Sequence, residues 1–159
     1  MPYLNVRELH SDDLQNGFLT TLDALRPTSH ADLENITAVF ERLQQNPDVI
    51  VAVAEIEGQI IGTGTLHLLR KFLYGGSISA QIEDVAVVPE EQHAGIGRAV
   101  IDFLLSFAQS AGCYKTMLHC DDEVMPFYRK FGFHPTTNGM RFDHPDAENR
   151  GKDSLKSLK

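Results

Sequence analysis

Apolar residues recur along this chain with two different spacings. Leu14, Phe18, Leu22 and Leu25 follow Asp12 and Asp13 at helical intervals, which predicts one amphipathic helix ending before Pro27. Leu33, Ile36, Phe40 and Leu43 repeat that spacing, with Ser29 as a candidate cap, until Asn46-Pro47 interrupts it. From Val49 the period becomes that of a strand. β-Branched residues over 50–56 and 59–69 flank Glu57-Gly58, which predicts an antiparallel hairpin. Arg70-Lys71 and Gly75-Gly76 then lead to a third strand over 82–88, stopped by Pro89. Ile96, Val100, Phe103, Leu104 and Phe107 mark the strongest helix, ended by Gly112. A strand over 115–120, a helix over 124–131 stopped by Gly132 and a last strand over 140–142 complete the pattern.

Strands leading into helices imply an α/β or α+β layer built on a mixed sheet, with ligands held where strands end and helices begin. The 159 residues suit one domain over 1–144, and the polar stretch 145–159 is expected to be a mobile tail. Fourteen Lys and Arg against twenty-two Asp and Glu leave a net charge of −8, which argues against general nucleic-acid binding and requires any anionic ligand to be met by a local basic cluster. Apolar runs fall far short of the ~20 residues of a membrane span, and no basic-then-apolar leader opens the chain. A cytoplasmic protein is the default expectation, with an organellar one left open. Cys113 and Cys120 read as reduced thiols, and seven histidines without a His-Glu-x-x-His pairing give no reason to expect a metal.

The most informative segment joins the third strand to the long helix: Val87-Val-Pro-Glu-Glu-Gln92-His-Ala-Gly95-Ile-Gly97-Arg98. Small residues at 94, 95 and 97 admit a ligand close to the backbone. The first-turn amides of a helix lack internal partners, and Arg98 adds charge to the favourable helix dipole, so the segment suits a pyrophosphate. Glycines that merely permit a tight turn are the plainer explanation. The segment is neither a Walker loop nor a dinucleotide fingerprint. Gly62-Thr-Gly64, inside an alternating strand with His67 where a third glycine would fall, reads as a bulge.

Gln92-x-x-Gly95-x-Gly97 resembles the acetyl-CoA loop of the GNAT superfamily of N-acetyltransferases. Gln81-Ile-Glu-Asp-Val-Ala-Val87, Gly112-Cys-Tyr-Lys115 and Phe127-Tyr-Arg-Lys-Phe-Gly-Phe133 extend the likeness to the glucosamine 6-phosphate N-acetyltransferases within it. Arg70-Lys71-Phe-Leu-Tyr74 and Met140-Arg141-Phe142 also have counterparts there. The resemblance spans roughly residues 14–142 and is strong from 70 onward. It implies a GNAT fold, with a twisted, mostly antiparallel mixed sheet flanked by helices and a splay between two central strands.

The same resemblance implies residue roles. Backbone groups of Val85, Ala86 and Val87 would bind the pantetheine arm and polarise the thioester carbonyl, with Val87 acting catalytically through its main chain. Gln92, His93, Ala94, Gly95, Ile96, Gly97 and Arg98 would hold the pyrophosphate, with Arg129 and Lys130 by the cofactor phosphates. Tyr128 would stand near the sulfur and protonate the leaving thiolate, although an aromatic on a short helix is by itself a core residue. Glu83 and Asp84, on opposite faces of a regular strand, belong to the sugar region, Glu83 as the carboxylate near the amine. Arg26, Thr28, Phe72, Leu73, Tyr74, Val85 and Tyr114 would border the sugar, and Lys71, Lys115 and Arg141 its phosphate. The implied reaction is direct acetyl transfer from acetyl-CoA to D-glucosamine 6-phosphate, without a metal, in an intertwined homodimer whose sugar site borrows from the partner.

The chain departs from the family at His119, where an acidic residue is usual, at Val124 in place of Asn, and at Leu25-Arg-Pro-Thr28 in place of a Leu-Thr pair. His119 reads either as a base or as a hydrogen-bonded core residue. The rival readings are a GNAT enzyme for another amine and an acyl-CoA sensor without turnover.

Overall fold

The computed structural model describes residues 2–92 and 94–144. The expected tail over 145–159 and His93 lie outside the described residues.

The hairpin forms where the spacing predicts it, as β2 (Val49–Ile56) and β3 (Gln59–Arg70) around Glu57 and Gly58, both in the left-handed region. A strand that the spacing does not predict, β1 (Leu4–Glu8), pairs antiparallel with β2 on its other side. After a short helical turn, α3 (Leu73–Gly76), β4 (Ile78–Val87) starts earlier than expected and pairs antiparallel with β3, and β5 (Cys113–Leu118) pairs with β4 in parallel. The sheet therefore runs β1-β2-β3-β4-β5, three antiparallel pairs and one parallel pair. The parallel step needs a crossover, which α4 (Ile96–Ser110) supplies.

α4 lies on one face of the sheet, where Val100, Ile101 and Leu104 are completely buried with Leu66 and Ile82. Alternation puts Leu66 and Leu68 of β3 on this face and Thr63, Thr65 and His67 on the other. A second core on the opposite face gathers Leu14, Phe18, Leu19, Val53 and Ile60, with Ile36 and Phe40 of α2 (Leu33–Gln44) packed against it.

Three expectations need correction. The helix predicted from Leu14 to Leu25 is two pieces, a 3-10 turn at Ser11–Gln15 and α1 (Phe18–Leu22), because Gly17 between them has φ +99°. A Cβ at Gly17 would fall 2.6 Å from the carbonyl oxygen of Ile60, so contact with the start of β3 forces the break. α2 is preceded by Asp32 rather than capped by Ser29. The strand expected over 140–142 does not form: Met140 is 99% exposed and no strand of the described residues pairs with it.

Beyond Glu83 the β3–β4 register slips, with Thr65 opposite Glu83 and Thr63 opposite Ala86. Asp84 takes the extra position with φ +52°, a bulge that shifts the alternation by one. Glu83 and Asp84 are consequently both exposed, and Val85 turns toward α4, its Cγ2 lying 3.5 Å from where a Cβ on Gly64 would sit. The expectation of strictly opposite faces for the two carboxylates fails at this bulge.

Candidate active site

β4 and β5 separate where the chemistry is expected. Their pairing ends at Ile82 opposite Leu118, so the β5-facing edge of Glu83–Val87 has no strand beside it. This is the splay. β3 continues to pair along the other edge, Gly62 with Val87, so the exposed segment is braced from one side only.

β4 then runs through the 3-10 turn Pro89–Glu91 to Gly95, whose φ of +82° turns the chain into α4. Gln92 donates its side-chain amide to the Val87 carbonyl at 3.3 Å and closes this loop onto the end of the strand. A Cβ on Gly95 would meet nothing within 4 Å, so the mouth of the helix is open. Among the described residues, nothing accepts the backbone N–H groups of Ile96, Gly97 or Arg98. Such a row of donors at the positive end of a helix dipole suits a diphosphate. Ala94 is exposed at the same mouth. Arg98 lies along the flank of α4, 3.5 Å from Asp102 and over the Phe131 ring at 5.3 Å.

Tyr128 sits on α5 (Met125–Arg129) with its ring buried against Phe127 and Phe133. Its hydroxyl bonds to no described residue, yet among the described residues no fully buried side-chain oxygen or nitrogen lacks a partner. The oxygen therefore keeps an open edge, and Tyr128 lines a cavity of about 670 Å³. Burial first, and Cys120 second, raise its pKa above the ordinary phenol value, so it remains a proton donor at neutral pH.

That cavity follows the chain through six consecutive residues, Lys115 to Leu118 of β5 and then His119 and Cys120 beyond its end, and so runs along the strand's free edge rather than one face. Arg129 and the segment 132–139 close it. Of the residues expected to act, it gathers Lys115, His119, Tyr128 and Arg129, His119 being exposed beyond the end of β5 rather than a core residue; the α4 mouth, Glu83 and Asp84 do not line it.

Glu83 is on the sheet face opposite α4. Gln81 donates its amide to one carboxylate oxygen at 2.9 Å, and His67 Nε2 stands 3.5 Å from the other. α1 covers the same face, and the loop after it carries Arg26 and Thr28. Asp23 shapes that loop by accepting the backbone N–H groups of Thr28 at 2.6 Å and Ser29 at 2.8 Å. At the β5 end of the sheet, Tyr74 packs its edge on Tyr114 at 5.3 Å, and Lys115 lies over the Tyr114 ring. Lys71 follows β3 nearby, its backbone N–H bonded to the carbonyl of Ser77. Phe72, Leu73 and Tyr74 are exposed. Arg141 grips Asp143 of its own segment at 2.6 Å and does not line the cavity that holds Lys115. Lys130 is exposed at the end of α5.

His67, Gln81 and Asp23 have no site role legible in local sequence. Counting the register of the β3–β4 pair would have found the first two, since His67 lies directly opposite Gln81.

A splayed parallel pair opening beside an uncapped helix mouth defines an acyl-CoA-handling fold. The family model for the Acetyltransferase (GNAT) family matches residues 5–133, and the chain belongs to that family of acetyl-CoA-dependent N-acetyltransferases. Within it, the chain falls among the glucosamine 6-phosphate N-acetyltransferases. It is 34% identical over 135 residues to a probable glucosamine 6-phosphate N-acetyltransferase 2 of Oryza sativa subsp. japonica, covering 82% of this chain and 81% of the relative. It is 34% identical over 142 residues to the glucosamine 6-phosphate N-acetyltransferase of Trypanosoma brucei brucei, covering 88% and 95%. The crystal structure of glucosamine-6-phosphate N-acetyltransferase from Arabidopsis thaliana superposes with a TM-score of 0.85 at 30% identity, covering 89% of this chain and 98% of that one.

Proposed function

We propose that the protein moves the acetyl group of acetyl-CoA directly to the amine of D-glucosamine 6-phosphate, releasing CoA and N-acetyl-D-glucosamine 6-phosphate, a precursor of UDP-N-acetylglucosamine. One observation carries the reading: β4 loses its neighbour at Glu83, leaves its edge open through Val87, and delivers the chain straight to the open mouth of α4.

Acetyl-CoA supplies an activated acyl group and a thiolate leaving group. The main chain of Ile96, Gly97 and Arg98 would bind its diphosphate, and the free edge of Val85–Val87 its pantetheine arm. A backbone N–H on that edge, held rigid by pairing to β3, would stabilise charge developing on the carbonyl oxygen. Tyr128, kept protonated by burial, would donate to the departing sulfur. Glu83, half exposed and fixed by Gln81, would orient the substrate ammonium and remove its proton. Lys71 and Lys115 would meet the phosphate of the sugar.

The active form in this proposal is a homodimer. Among the described residues β5 has an unpaired edge lined by the 670 Å³ cavity, while Met140 and Phe142 stand exposed on a segment that finds no strand to join. Exchange of that segment between two copies would cover both and carry Arg141 to the partner's sugar site.

Free-thiol release is followed with acetyl-CoA and a panel of amines that includes glucosamine 6-phosphate, a polyamine and an aminoglycoside. Rapid release with the phosphosugar alone is the expected result. Release with another amine only, or acetyl-CoA binding without release, overturns the reading.

A further inference from the structure

Glu83 has a polar neighbour on each side. Its Oε1 accepts the Gln81 amide at 2.9 Å, and its Oε2 faces His67 Nε2 at 3.5 Å. Gln81 and His67 are themselves a directly opposed cross-strand pair, and Thr65, one position along that face of β3, lies opposite Glu83. The imidazole thus approaches from the neighbouring strand, which the bulge at Asp84 does not displace, because the register slips only beyond Glu83. The His67 side chain is 35% exposed and that of Glu83 49%, so both reach solvent on the face away from α4.

We propose that His67 is a positioning residue for acetyl transfer, holding Glu83 toward the substrate amine and relieving it of the proton it collects. The inference rests on the reading of Glu83 given above. The substrate ammonium N–H bond breaks as an O–H bond forms on Glu83. That O–H bond breaks in turn as Nε2 of His67 takes the proton, which restores the carboxylate. The exposed imidazolium then passes the proton to water. Two proton acceptors in series leave Glu83 ionised for the next ammonium, whereas Glu83 alone would have to discharge directly to solvent.

The test compares His67→Leu in the natural background and in a Glu83→Gln background, using acetyl-CoA and glucosamine 6-phosphate. His67→Leu should lower kcat about tenfold in the natural background, a small share of what acid–base groups contribute, while KM for acetyl-CoA stays within about twofold. In the Glu83→Gln background the same change should cost less than about twofold, since groups that act as one unit are not additive. A merely structural His67 would cost the same in both. Equal losses in the two backgrounds, or no loss in either, overturn the proposal. His67→Gln, which keeps the position polar, gives the same comparison should the leucine variant fail to fold. A natural protein that does not acetylate glucosamine 6-phosphate overturns the functional reading itself and is seen before any variant is made.

Discussion

A Cβ placed on Gly62 would lie 2.6 Å from Cγ2 of Ile96, the first residue of α4. Gly62 pairs with Val87 across the β3–β4 ladder, so this glycine lets the open helix mouth sit directly against the end of the splayed strand. Ile96 is β-branched and 3% exposed and has little freedom to yield. Gly62→Ala should therefore destabilise the fold by about 1–3 kcal/mol, the range for overpacking, and raise KM for acetyl-CoA more than KM for the sugar. Urea denaturation and initial-rate kinetics check the two parts.

Tyr128→Phe keeps the buried ring and removes the hydroxyl. Its expected effect is a fall in kcat of about 100-fold, the lower end for a lost general acid, with little change in either KM. Stability should change by less than about 1 kcal/mol, because the oxygen makes no bond to the described residues. With its pKa raised by burial, Tyr128 favours the native fold fully below the unfolded phenol value near 10, and that contribution disappears as pH rises through the folded value. The alkaline limb of kcat should accordingly lie above the ordinary tyrosine range and vanish in the phenylalanine variant.

Arg7 ties β1 to the chain beyond it, bonding Asp13 at 2.6 and 2.8 Å and Glu55 at 2.6 and 3.0 Å. Burial pushes the Asp13 pKa up, but the Arg7 hydrogen bonds and the backbone N–H of His10 outweigh it and hold the net value below the usual carboxylate range. A depressed carboxylate stabilises the fold above its unfolded value of about 3.9 and ceases to do so as pH falls through the folded value. Asp13→Asn should cost about 2 kcal/mol at pH 7, less than a fully buried pair because a quarter of the Arg7 side chain is exposed. The difference from the natural protein should shrink on acidification, read by thermal melts at stepped pH.

Arg141→Ala should raise KM for glucosamine 6-phosphate about tenfold and leave KM for acetyl-CoA within about twofold, the loss appropriate to one charge-assisted clamp. Equal effects on both substrates would count against a phosphate role. Mixing the impaired Arg141→Ala and Tyr128→Phe chains tests the exchange, since a shared arrangement restores one site with natural kcat and KM in each mixed dimer and a self-contained one does not.

Much of the site was readable in local pattern. The Glu57-Gly58 hairpin, the Gly95 entry into α4 and its apolar stripe each depend on residues a few positions apart, where turn chemistry and periodicity act directly. The order of motifs through Phe127-Tyr128 then carried the family, because it joined several such segments at their proper intervals. His67 was passed over for the opposite reason: its partner Glu83 is a neighbour only through strand register.

Local sequence thus decided the hairpin, the long helix, the open mouth and the class of chemistry. Tertiary packing decided the break at Gly17, imposed by the Ile60 carbonyl, and the fate of 140–142, which alternates like a strand but has no strand beside it among the described residues. It also decided the bulge at Asp84 and the separation of β4 from β5 beyond Ile82. Periodicity specifies which face a side chain takes within an element. Only the arrival of distant backbone specifies whether that element has a neighbour to pair with.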